Sequence, residues 1–163
     1  MANNSPYLAD EERLADVIAA IQTLGPYKFY KTTIAQWAQR IGRPGKGEDH
    51  WRQVFSEHPE FFRISPTDPD RVSLVIRRHK EKRYNVDTDS LISKAEYDAM
   101  NSIEQRRVTR APLNSAEVQE LVDNAIKLHT RAVETGRDRR WWFVPAIGLV
   151  GVFGGAILKS LFE

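Results

Sequence analysis

The stretch EDHWRQVFSEHPEFFRISPTDPDRVSLVIRR, residues 48–78, holds the strongest local pattern in the chain. Trp51, Val54 and Phe55 recur at helical spacing, and Pro59 stops the run because a proline can neither donate its backbone nitrogen nor tolerate a helical residue before it. Two apolar runs follow, residues 61–64 and 72–76, on either side of SPTDPD, whose prolines and aspartates form turns. Val72, Leu74 and Ile76 alternate as a half-buried strand requires. The stretch therefore predicts a helix followed by a β-hairpin.

Working towards the amino terminus, Leu14, Val17, Ile18, Ile21 and Leu24 share one helical face. Asp10, Glu11 and Glu12 lie where a helix dipole favours carboxylates, and Gly25-Pro26 ends the run. YKFY, residues 27–30, is long enough for one short strand. Thr32 or Thr33 then caps a helix with Ile34, Trp37, Ala38 and Ile41 on one face and Gly42 at its stop. The order helix, short strand, helix, turn, helix, hairpin, with VFSEHPEFFRIS entering the hairpin and RVSLVIRR leaving it, resembles the winged-helix family of helix-turn-helix domains. The resemblance covers about residues 8–84 of a domain that reads as 5–84, about half the chain.

That resemblance implies a third helix set in the DNA major groove and a wing against phosphates. The residues it would use are Arg43, Lys46, Arg52 and Gln53 on the helix and the turn before it. At the wing exit, RRHKEKR supplies Arg77, Arg78, Lys80, Lys82 and Arg83 against a single Glu81. Forked donors suit guanine and amides suit adenine, so Arg52 and Gln53 are the base-reading candidates. Glu48, Asp49, Glu57 and Glu60 crowd the same helix and oppose phosphate binding. Two partners stay open on these residues: nucleic acid, most naturally DNA, and a docked protein.

Beyond the hairpin, residues 85–112 read as a connector with a short helix from Lys94 to about Ser102, capped by Ser93 with Glu96, and then a basic linker. Residues 113–136 read as an amphipathic stalk helix with Asn114 and Glu117 as a capping box. Val118, Leu121, Ala125, Leu128 and Ala132 fall at steps of three and four, which suits either packing on the same domain or a two-heptad seam between copies.

The carboxy-terminal stretch changes character. From Trp141 to Leu158, 18 residues run without a charged side chain, about 27 Å as a helix. This predicts a transmembrane helix over residues 141–159. Arg137, Arg139, Arg140, Trp141, Trp142 and Lys159 stand where interface anchors belong, and the arginines place the amino-terminal side in the cytoplasm. Gly148, Gly151 and Gly155, with Gly154 between, offer a small-residue strip for helix association. The expected partners are thus a lipid bilayer, a second copy of the chain, and the target of the amino-terminal domain.

Composition narrows the chemistry. The 163 residues carry 24 Lys and Arg against 22 Asp and Glu, a net +2, which gives no global field for polyanions. Cysteine is absent, which removes disulfides, thiol nucleophiles and thiolate metal sites. Residues 1–17 show no basic region followed by an apolar run, so no secretory signal is expected. GRPGKGE, residues 42–48, lacks the Ser or Thr that a phosphate loop needs after Gly-Lys. The histidines at 50, 58, 79 and 129 have no metal-ligand spacing. The sequence therefore predicts neither a catalytic site nor a cofactor or metal. The expected molecule is a single-pass, tail-anchored membrane protein: mainly α with a small β-hairpin, a winged-helix domain, a helical connector and one transmembrane helix. Its function is a membrane-tethered nucleic-acid regulator or tether, a protein-binding adaptor, or an oligomerising membrane effector.

Overall fold

The computed structural model describes residues 5–141, without the side chains of 136–141. After a 3-10 turn at Pro6–Leu8, α1 spans Arg13–Leu24, with Val17, Ala20, Ile21 and Leu24 buried. β1 (Lys31–Thr33) leads directly into α2 (Ile34–Ile41). Thr33 caps α2 by accepting from Gln36 N at 3.3 Å while the Gln36 side chain accepts from Thr33 N, and Gly42 closes the helix at φ 65°, a left-handed geometry that suits glycine. α3 (Glu48–Glu57) buries Trp51, Val54 and Phe55.

β2 (Phe62–Ser65) and β3 (Asp68–Leu74) form an antiparallel hairpin, and β1 pairs with the free side of β3, giving the order β1-β3-β2. Val72 faces Thr32 on one side and Ile64 on the other. Val72 and Leu74 meet Trp37, Trp51, Phe55 and Phe62 in the core, and the Trp37 indole donates to the Val72 carbonyl at 3.2 Å. Each such large apolar side chain contributes about 1.5–3 kcal/mol on burial.

Residues 84–109 build a second sheet, order β5-β4-β6, from β4 (Tyr84–Asn85), β5 (Ser90–Leu91) and β6 (Val108–Thr109). Between β5 and β6 lie α4 (Lys94–Ala99) and α5 (Ser102–Gln105), each begun by a capping box, Ser93 with Glu96 and Asn101 with Glu104. The last element, α6 (Ser115–Trp141), lies against α1 and the Pro6–Leu8 turn. Val118, Leu121, Val122, Ala125, Leu128 and Ala132 all pack on the same core as α1, so the apolar seam of α6 is covered by its own domain.

The expected fold class, a mainly helical winged-helix domain with one small hairpin, a helical connector and a transmembrane helix, is corrected on two points. The hairpin is part of a three-stranded sheet, because the chain pairs as a strand at 31–33 where the Thr-rich segment before α2 runs extended. The connector contributes a second three-stranded sheet, from strands of two residues each that are too short to show a period of two in sequence. Among the described residues no helix is long and apolar enough to cross a membrane. The span expected at 141–159 lies outside them except for Trp141.

Candidate functional site

The residues expected to touch nucleic acid do not form a free basic face. Asp16, fully buried on α1, gathers those of the α2–α3 turn. Both its oxygens accept from Lys46 Nζ at 2.8 Å, Arg43 Nη1 lies 3.0 Å away and His50 Nε2 2.8 Å away. Glu12 adds contacts at 2.6 Å to Lys46 and 3.4 Å to Arg43. Burial pulls the Lys46 ammonium down, but its hydrogen bonds to Asp16 and Glu12 outweigh this and leave it raised above the ordinary lysine value. The turn is clamped to α1 by charge instead of offering charge to solvent.

On α3 itself, Arg52 donates to Glu48 and to Asp70, both at 2.8 Å, and to the Pro69 carbonyl at 3.2 Å. Gln53 donates to Glu57 at 2.8 Å. Both base-reading candidates are therefore engaged by carboxylates of their own surroundings. Residues 48–71, which include α3 and the hairpin turn, carry six carboxylates against three arginines.

Arg77 is the largest departure from the sequence reading. It is fully buried, and its guanidinium donates to backbone carbonyls: Tyr27 at 2.6 Å, Arg110 at 2.7 Å, Leu24 at 3.1 Å and Lys28 at 3.4 Å. Burial draws its pKa down to about 10, only partly offset by the phenols of Tyr84 and Tyr30. Among the described residues no carboxylate accompanies it; the convergent carbonyl dipoles of Leu24, the α1–β1 loop and Arg110 take that place. Lys80 donates to Glu117 at 2.7 Å and to the Pro112 carbonyl at 3.2 Å, and Arg83 pairs with Glu81. Exposed Lys82 stands 6.0 Å from the Tyr97 ring. Arg78 alone of the eight cations is exposed without an ion pair or aromatic neighbour among the described residues.

Sequence reasoning missed a polar cluster where the Pro6–Leu8 turn meets the end of α3. The Tyr7 ring packs on buried His58 at 4.5 Å, and both donate to Glu60 Oε1, Tyr7 Oη at 3.2 Å and His58 Nδ1 at 3.0 Å. Burial first, and then the charge of Glu60, push the Tyr7 phenol well up. Beside them buried Arg13 pairs with Glu57 at 2.7 Å. No local pattern marks these residues, because they come from three separate segments. Among the described residues no three His, Asp or Glu side chains are arranged to hold a metal ion.

Of the anchor residues, Arg137, Arg139, Arg140 and Trp141 fall in the last turns of α6. Trp142, Lys159 and the glycines Gly148, Gly151 and Gly155 lie outside the described residues. Comparison with protein-family models, with curated proteins and with solved structures finds no match for this chain.

Proposed function

We propose that residues 5–141 are a protein-docking module, kept at a membrane surface by the uncharged run 141–158, and that its partner presents a basic surface to the α3–hairpin face. The observation that carries the reading is the placement of Arg52 between Glu48 and Asp70, 2.8 Å from each. Arg52 is neutralised twice and Arg71 pairs with Asp68 at 2.9 Å, and the six carboxylates of residues 48–71 against three arginines leave the stretch net acidic. Phosphates approaching such a face lose attraction with each carboxylate, whereas lysines and arginines of a protein gain it.

The test uses the full chain in lipid nanodiscs. A partner captured from nuclease-treated lysate, retained by the native chain and lost from the Asp49→Lys, Asp70→Lys double variant, supports the reading. Tight retention of duplex DNA at about 50 mM salt, falling steeply as salt rises, overturns it and favours nucleic acid as the partner.

A further inference from the structure

The lobe built from residues 84–109 carries a surface that the α3 face does not use. Between the β4–β5 hairpin and the α4–α5 pair lies an open groove of about 460 Å³. Ile92, Ala99 and Met100 give it apolar lining, and Asn85, Glu96 and Glu104 give it polar lining. The apolar lining of such an open concavity is what a bound segment covers. β5 is also an edge strand, paired to β4 on one side only, so its other side has backbone groups to offer an extended chain.

Charge selects among such segments. Residues 85–105 hold five carboxylates, Asp87, Asp89, Glu96, Asp98 and Glu104, against the single Lys94, in a chain whose net charge is +2. Asp87 is neutralised by Arg107, whose Nε lies 3.0–3.1 Å from its oxygens, and Asp89 accepts from the Tyr84 hydroxyl at 2.7 Å. The two carboxylates lining the groove are different. Glu96 and Glu104 accept from the backbone of Ser93 and Asn101 in their capping boxes, at 2.6 and 2.8 Å, and no cation pairs with either among the described residues. Each keeps lone pairs free for a further donor.

We infer that this groove docks an extended peptide segment in which basic side chains alternate with aliphatic ones. The aliphatic side chains cover Ile92, Ala99 and Met100, and the basic ones meet Glu96 and Glu104. The site shares no residue with the α3 face, so either surface can fail while the other stands.

A fluorescent hexapeptide alternating lysine and leucine, titrated by anisotropy into the full chain in nanodiscs, tests this. Hexapeptides alternating glutamate with leucine and lysine with serine serve as controls. The lysine–leucine probe is expected to bind at least about tenfold tighter than either control. Glu96→Gln with Glu104→Gln keeps both capping boxes, since glutamine serves at that position. That pair is expected to weaken the probe about tenfold and flatten its salt dependence. Met100→Ser, at a half-buried position in the lining, is expected to weaken it by a similar factor. Equal binding of the three peptides overturns the proposal. So does unchanged probe affinity in both the glutamine pair and Met100→Ser with unaltered melting curves.

Discussion

Arg77 Nη2 donates to the carbonyl of Arg110 at 2.7 Å, joining the end of the hairpin unit to the segment that enters α6. Through Nη1 the same side chain holds Tyr27 O at 2.6 Å, so one guanidinium ties the α1–β1 loop, the exit of β3 and the return from β6. Replacing it with Met removes the donors and leaves several buried carbonyls unsatisfied. The expected loss is about 3 kcal/mol in urea unfolding. Lys in its place recovers only part, because an ammonium cannot span carbonyls on both sides as the planar fork does. A loss below about 1 kcal/mol for Arg77→Met would show that water or a rearranged loop replaces it.

How much of this could be read beforehand depends on whether a signal was local. The capping boxes at Ser93 and Glu96 and at Asn114 and Glu117 are pairs three residues apart and both occur, and of the two candidate caps of α2, Thr32 and Thr33, it is Thr33 that serves. The apolar faces of α1 and α3 likewise need only helical spacing. Arg77 shows the limit. In sequence it is the first of a basic run, and only the meeting of segments around residues 27 and 110 turns it inward. The ion pairs that engage Arg43, Lys46 and Arg52 also depend on contacts 18 to 34 positions apart, beyond any periodicity, with only Arg52–Glu48 local. The second sheet was hidden for a different reason: two-residue strands carry no alternation to detect.

Gly25 predicts a second effect. A Cβ there would stand 2.8 Å from Val118 Cγ2 and 2.9 Å from the Ile21 carbonyl, and one contact is backbone that cannot turn away. Its carbonyl also accepts from Leu113 N at 2.9 Å, so the glycine sits where α1 and the start of α6 come closest. Gly25→Ala is expected to cost about 1–3 kcal/mol by overpacking, despite alanine's smaller entropy loss. Hydrogen exchange at the start of α6 should quicken. A neutral or stabilising result would mean that α6 shifts freely on α1.

Asp16 carries the third. Asp16→Asn keeps the shape but leaves Lys46, Arg43 and His50 around a neutral amide. Removing one partner from a buried ionic cluster costs about 3 kcal/mol. The 42–47 turn should lose protection first, since the clamp is its main tie to α1. Substituting Arg78, exposed and outside every ion pair of the described residues, should leave stability unchanged and serves as the control.

The acid limb of the stability profile follows from Glu117 and Glu60. The hydrogen bond from Lys80 holds the Glu117 carboxyl below its ordinary value. At Glu60, burial works upward, but the hydrogen bond from His58, its backbone contact and the Tyr7 hydroxyl together leave it lowered. Folded pKa values below the unfolded ones mean that the unfolded chain binds protons first. The stabilisation is complete above about pH 4.5 and is lost as pH falls through the folded values. Tyr7 acts at the other end. Its raised phenol stabilises fully below about pH 10 and is lost as pH rises through the folded value. Unfolding midpoints measured across pH should therefore drop less between about pH 5 and 3 in the Glu60→Gln, Glu117→Gln pair than in the native chain. Tyr7→Phe should flatten the alkaline limb while leaving the acid limb dependent on Glu117. Parallel curves for the native chain and the glutamine pair would show that other carboxylates carry the acid transition.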